Sequence, residues 1–251
     1  MTAPFLTVSD LTVAYGDNVI MKDVSFTVNR GDVFIIMGAS GCGKSTLLSV
    51  LTGLKEPFKG DVLFDGLPFW GEKSSDENRK TAMRKAGILY QSGALWTSMT
   101  LAENVALPLT QYTALTPAEI QDLVALKLDL VGLAGFQDFY PSEISGGMKK
   151  RAGLARALAL DPQIVFFDEP SAGLDPISSK NLDDLILQIK ENLNTTIVMV
   201  THELPSLLSV GTNSIYLDVD TKTLIAHGKP ADLLKNPPNQ KVQHFLTRGE
   251  K

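Results

Sequence analysis

The sequence predicts an α/β fold built on a parallel sheet, and two observations carry that reading. Four short runs are nearly all apolar: residues 33–37, 88–90, 164–167 and 197–200. Runs of this length and character suit strands covered on both faces, as in a parallel sheet. Each run leads into a residue with possible chemistry: Gly38, Gln91 and Asp168 follow directly, and His202 follows after Thr201. In open α/β sheets ligands bind beyond the carboxyl ends of the strands. The reactive residues are therefore expected along one edge of one sheet.

The elements follow in order. Short β-like runs occupy 5–13, 24–28, 33–37 and 62–64, with turns at Tyr15-Gly16 and Arg30-Gly31-Asp32. A helix pattern covers 44–51 and ends where Gly53 and Pro57 stop it. From about 92 to 160 the pattern is mostly helical. Within it Thr116-Pro117-Ala118-Glu119 is a helix start: Thr116 caps, Pro117 occupies the first turn and Glu119 completes a capping box. Leu123, Leu126, Leu130 and Leu133 recur at helical spacing. Strand–helix alternation resumes at Ile164, and 214–227 reads as a closing hairpin around 218–222. The last residues, 237–251, either assist contacts with a partner or fray.

Composition narrows the function classes. The chain has 251 residues, of which 44% are apolar and 20% charged, with a net charge of −5. Those values suit a globular protein with a sizeable core. The acidic balance argues against a general nucleic-acid binder, which needs a basic surface. The single cysteine, Cys42, allows no disulfide within the chain. The start lacks a basic segment followed by an apolar run, so no secretory signal is expected. No stretch reaches the roughly 18 apolar residues of a membrane helix. Any membrane role is expected to come through a partner.

The most specific motif is Gly38-Ala39-Ser40-Gly41-Cys42-Gly43-Lys44-Ser45-Thr46, which fits G-x-x-x-x-G-K-[ST] between a strand and a helix. Such a loop turns successive N–H groups toward a phosphate chain, and the helix behind it attracts anions. Lys44 is expected on the β- and γ-phosphates, and the Ser45 hydroxyl on Mg²⁺. Chance alone produces the pattern in roughly one chain in a hundred of this length. Cys42 fills a free position and reads as tolerated, a redox-sensitive thiol being the alternative.

Asp168-Glu169 ends an apolar strand. Asp168 suits Mg²⁺ through a water, and Glu169 is placed to activate water for attack on a γ-phosphate. By itself the pair equally marks a strand-to-turn boundary before Pro170. His202 reads as a contact to the γ-phosphate and attacking water, or as a histidine capping the next helix near Glu203. Gln91 suits Mg²⁺ or a water. Tyr15 suits stacking on adenine or plain packing. Ser145-Gly146-Gly147 opens a second helix and is either an ordinary N-cap or a second anion site. One nucleotide does not need two cradles, so two copies of the chain would each contribute one. Lys149, Lys150 and Arg151 read as a solvated basic face.

Taken together, Tyr15, residues 38–46, Gln91, Ser145-Gly146-Gly147, Asp168-Glu169, residues 171–175 and His202 resemble the ABC-transporter ATPases over essentially the whole chain. The resemblance implies one nucleotide-binding domain over 1–251. Its fold would be a P-loop NTPase (RecA-like) core with a mixed sheet, an antiparallel β lobe, and a helical subdomain inserted at about 92–160. The residues would be, in turn, the adenine stacker, Walker A, the Q-loop, the signature, Walker B with the catalytic Glu169, the D-loop reaching Asp175, and the switch histidine. Catalysis would rest on Glu169, His202, Lys44 and Gln91, with ATP and Mg²⁺ bound and the Mg²⁺ held by Ser45, Gln91 and Asp168. Ser145, Gly146 and Gly147 would act in trans on the nucleotide of a second copy.

Met148 departs from the glutamine usual at the end of the signature. The segments Tyr90-Gln91-Ser92-Gly93-Ala94-Leu95-Trp96-Thr97-Ser98-Met99-Thr100 and Pro141-Ser142-Glu143-Ile144-Ser145-Gly146-Gly147-Met148 are similar to those of the Mla/Mce-type lipid-transport ATPases, where methionine is usual. That narrower resemblance implies phospholipid transport across the envelope. The partners would be a permease pair, an Mce-domain protein and, in some systems, a small STAS-type protein. The site of action would be the cytoplasmic face of the inner membrane. Import of a polar solute and a non-transport single-cassette ATPase stay open as alternatives.

Overall fold

The computed structural model describes residues 4–247. The chain forms two compact units, one made of Met1–Met83 with Thr196–Lys251 and the other of Arg84–Thr195.

In the first unit, β1 (Leu6–Tyr15) and β2 (Asn18–Val28) form a long antiparallel ribbon, and β4 (Lys59–Phe64) and β5 (Leu67–Trp70) extend it in the order β2-β1-β4-β5. Residues of β2 alternate between buried and exposed from Val24 to Val28, as a strand with one covered face should. The ribbon is longer than the run at 24–28 implies, because tight pairing of Tyr15 with Asn18 starts β2 at once. β5 contains Pro68 and has no alternating pattern to read. After it, α2 (Asp76–Arg84) is almost wholly polar and buries Ala82 alone. The Arg79 guanidinium lies 4.7 Å from the Trp70 ring centroid, which ties α2 down by charge rather than apolar area.

The same unit holds β3 (Val33–Gly38), paired in parallel with β8 (Thr196–Val200) on one side and β9 (Asn213–Leu217) on the other. Every residue of β3 and β8 is buried, in keeping with the continuous apolar runs. β10 (Leu224–His227) closes an antiparallel hairpin with β9. The helices here are α1 (Lys44–Leu51), α7 (Leu204–Val210), α8 (Pro230–Lys235) and α9 (Gln240–Leu246). The fraying considered for the tail is overturned up to Leu246. Val242 and Leu246 are buried, Phe245 meets Tyr216 edge-on at 5.2 Å, and Lys241 bonds both Asp218 oxygens at 2.7 and 2.8 Å. The final residues of that prediction lie outside the described ones.

In the second unit, β6 (Ala86–Leu89) runs parallel to β7 (Ile164–Asp168). The helices are α3 (Leu101–Tyr112), α4 (Pro117–Leu130), α5 (Gly146–Ala157) and α6 (Pro176–Leu193), with α3 packed on both α4 and α5. α4 begins at the expected capping box, Thr116 with Glu119. Its buried face is one residue off the leucine stripe: Val124, Lys127 and Leu128 face inward and Leu126 is exposed. Lys127 lies on that inward face with its ammonium paired to Asp161.

Candidate functional site

The first unit presents the glycine-rich loop between β3 and α1. Gly38 has φ 149, and a Cβ there would lie 2.5 Å from both the Cys42 Sγ and the Leu217 carbonyl oxygen. No other residue lets the backbone pass so close to its neighbours. The start of α1 has no side-chain cap and no acidic residue in its first turn. Its leading N–H groups therefore have no capping side chain and no negative charge competing for them, which suits a phosphate. The Lys44 Nζ folds back over the loop and donates to the carbonyl oxygens of Gly38 at 2.9 Å and Ala39 at 3.0 Å. Ala39, Ser40, Gly41 and Ser45 are exposed, and Thr46 is half-buried.

Cys42 is buried beneath the loop, and that burial pushes its thiol up despite the opposing charge of Lys44. A buried neutral thiol does not suit the redox-sensitive alternative. Tyr15 closes the β1–β2 ribbon and is 56% exposed, so packing alone does not account for it. One face of its ring is met by the Lys55 ammonium, 3.8 Å from the centroid. His202 follows β8 with its side chain exposed, and its Nε2 is 3.6 Å from a Glu203 oxygen. The N-cap of α7 is Glu203, with no side-chain cap bond, so His202 is not the helix cap considered from the sequence.

The second unit carries Gln91, the Ser-Gly-Gly helix start, the acidic pair and Asp175. Gln91 is exposed just beyond β6, on a turn closed by the Gly93 N–H to the Tyr90 carbonyl at 2.8 Å. Arg156 of α5 holds that turn, donating to Ala94 O at 2.7 Å and Gly93 O at 3.0 Å. Ser145 is the N-cap of α5, its hydroxyl accepting from the Met148 N–H at 3.3 Å, and Gly146 and Gly147 form the first turn. The N-cap role is thus present, and the turn again holds no acidic residue.

Asp168 and Glu169 are half-buried at the end of β7, and Glu169 adopts φ 51, a left-handed backbone that a glutamate rarely takes. The Asp175 carboxylate caps α6, accepting from Ile177 N–H at 3.1 Å and Ser178 N–H at 3.0 Å. The Ser178 bonds hold it below the usual carboxylate range. One expectation is corrected. Lys150 is not part of a solvated basic face but is 6% exposed, its ammonium bonded to the Ala172 carbonyl oxygen at 2.6 Å. Sequence reasoning singled out neither Lys55 nor Arg156. Each acts on a partner distant in sequence, so no local pattern announces it.

A P-loop between a buried strand and an uncapped helix, with a second helix start free of acidic residues and a strand-borne acidic pair, defines a phosphate-handling nucleotide-binding protein. Comparison with known proteins gives the family. A model described as ABC transporter matches residues 21–172. The chain is 40% identical over 250 residues to the intermembrane phospholipid transport system ATP-binding protein MlaF of Haemophilus influenzae, covering 100% of this chain and 92% of that one. It is 41% identical over 239 residues to the probable ribonucleotide transport ATP-binding protein mkl of Mycobacterium bovis, covering 95% of this chain and 65% of that one. The dimeric post-hydrolysis structure of the ATP-binding cassette MJ0796 bound to ADP and Pi superposes with a TM-score of 0.79 at 29% identity, covering 89% of this chain and 98% of that one. The chain belongs to the ABC transporter family, as an ATP-binding and ATP-hydrolysing subunit.

Proposed function

We propose that this subunit powers phospholipid transport across a cell envelope. The observation that carries the proposal is the 40% identity, over the full chain, to a protein named for intermembrane phospholipid transport. Two copies pair, as the MJ0796 cassettes do in their dimeric structure. The pair drives a permease dimer that works with an Mce-domain protein and, in some systems, a small STAS-type protein. No helix among the described residues is long and apolar enough to cross a membrane, so attachment to the cytoplasmic face of the inner membrane falls to the permease. An open groove of about 290 Å³ in the second unit, lined in part by Tyr90, Leu107, Pro108 and Tyr112, supports a docking role for the face beside Gln91.

Within each copy the residues divide the work. Lys44 and the loop N–H groups hold the β- and γ-phosphates, Tyr15 offers a ring face to adenine, and Ser145 with Gly146 and Gly147 receives the nucleotide of the other copy. Glu169 takes the proton of the attacking water and His202 orients that water. Ser45, Gln91 and Asp168 each offer an oxygen of the kind that suits Mg²⁺, which when bound would neutralise charge building on the phosphate oxygens. The Asp175 cap fixes the exit of the D-loop into α6.

A second reading, nucleotide or other polar-solute transport, is favoured by the name of the mycobacterial relative alone. Purification of the tagged protein from native membranes in mild detergent, followed by mass spectrometry of bound proteins and lipids, separates the two. A permease with an Mce-domain protein and phospholipid supports the first reading. A permease with a soluble solute-binding protein sinks it.

A further inference from the structure

The first turn of α5 does more than present Ser145, Gly146 and Gly147. Lys150 stands at the fifth position of that helix and points into the protein, 6% exposed. Its ammonium donates to the Ala172 carbonyl oxygen at 2.6 Å and, at longer range, to the Glu169 carbonyl oxygen at 3.5 Å. The Glu169 carbonyl also accepts from the Ala172 N–H at 3.2 Å, which closes the turn, and Leu174 N–H returns to Ser171 O at 3.1 Å. At the other end of the turn, Leu174 Cδ2 comes within 3.8 Å of the Cβ position at Gly147. The start of α5 therefore grips residues 169–174 at two points.

That turn is costly to hold. Glu169 sits at φ 51, where its Cβ crowds the backbone, and the Ser171 hydroxyl is buried with no hydrogen-bond partner among the described residues. A conformation of this kind persists only where its surroundings impose it. A buried ammonium is itself a poor choice for stability alone, since it forfeits hydration that a methionine of similar length would not. What the charge adds is directed bonding to two carbonyls of the segment that carries the acidic pair.

We propose that Lys150 is a positioning residue that ties the 169–172 turn to the N-terminus of α5. Engagement of Ser145, Gly146 and Gly147 by one nucleotide thereby sets the Glu169 that acts on the other. The inference rests on the roles given above to Glu169 and to the α5 start. It makes the two hydrolytic sites of a pair interdependent through one side chain within each copy.

The test is steady-state ATP hydrolysis by the transporter assembled with wild-type, K150M, K150R or E169Q subunits. K150M is expected to lose at least tenfold in kcat with KM within twofold of wild type. Its Hill coefficient for ATP falls toward one, and K150R recovers most of both. Native kcat and Hill coefficient in K150M overturn the proposal. So does a K150M whose KM rises more than twofold while its kcat and melting temperature drop, and which K150R does not rescue, since that is a structural role. Should K150M not fold, K150Q keeps a donor on a stem too short for both carbonyls and is read by the same criteria. E169Q must bind ATP without turning it over; if it hydrolyses at the native rate, the underlying assignment of Glu169 fails instead.

Discussion

The Lys55 ammonium lies over the ring of Tyr15, 3.8 Å from its centroid. One ring face is thereby covered and the other is left for a planar ligand. A cation over a half-exposed ring contributes about 0.5–1 kcal/mol, and it also fixes the ring plane. K55A is expected to raise KM for ATP about two- to fivefold with kcat unchanged, and K55R to keep the wild-type KM. Steady-state kinetics decide the matter: an unchanged KM in K55A removes Lys55 from adenine positioning.

Gly38 is the point of least tolerance in the loop. An added Cβ meets the Cys42 Sγ and the Leu217 carbonyl, both at 2.5 Å, on a backbone at φ 149. Overpacking of this severity costs about 3 kcal/mol, or about 10 °C of melting temperature in a chain of this size. The double variant G38A/C42A should regain less than half of the loss, because the Leu217 carbonyl belongs to β9, paired directly with β3, and does not move. Thermal melting of the single and double variants checks this, and a G38A that melts like wild type refutes it.

The loop and the helix caps were legible in sequence for a shared reason. Residues 38–46 act as one contiguous stretch, and Thr116 and Ser145 satisfy N–H groups only a few residues ahead of them. What escaped depends on distant partners. The Lys149-Lys150-Arg151 run looks like a wetted face until the turn at 169–172 is known to lie against α5. Leu126 and Val124 are equally apolar, and the one that turns inward shares its face with Leu128 and with Lys127, whose partner Asp161 lies far along the chain. β5 and α2 were missed because neither has an apolar period, their anchors being Arg79 on Trp70 and the Trp70 Nε1–H on the Val50 carbonyl at 2.8 Å.

Lys241 of α9 bonds Asp218, whose carboxyl is held by that hydrogen bond, and by those from Thr221, at about 2 against an ordinary 3.8. A carboxylate whose pKa is depressed on folding contributes stability above its unfolded value and loses it as pH falls through the folded one. The margin by which wild type exceeds K241M in melting temperature should therefore be full above pH 4 and shrink from there down to about pH 2. Melting curves of the two proteins across that window test the point. A margin that stays constant with pH would show that Lys241 acts through packing of its stem rather than through Asp218.

Asn104 carries the last prediction. It is completely buried in α3, and its amide makes four bonds to the segment that follows the Gln91 turn. Its oxygen accepts from the Trp96 N–H at 2.8 Å, while its NH₂ donates to the carbonyls of Trp96 at 3.0 Å, Met99 at 3.2 Å and Thr100 at 2.9 Å. No apolar side chain can substitute, since without the amide the Trp96 N–H and the Met99 carbonyl lose their partner, while the carbonyls of Trp96 and Thr100 still accept from the Met99 and residue-104 N–H groups. Leaving such groups unpaired costs about 1–3 kcal/mol apiece where water cannot reach them, so the loop should open rather than stay dry. N104L, close to asparagine in size, is expected to speed amide exchange of residues 96–100 at least tenfold while α4 and α6 stay protected. Because that loop joins Gln91 to α3 and presents the exposed Trp96, hydrolysis should lose its response to the permease before it loses its basal rate. Hydrogen exchange and ATPase assays, with and without the permease, read the two effects separately; unchanged exchange at 96–100 would mean that the loop is held by something other than Asn104.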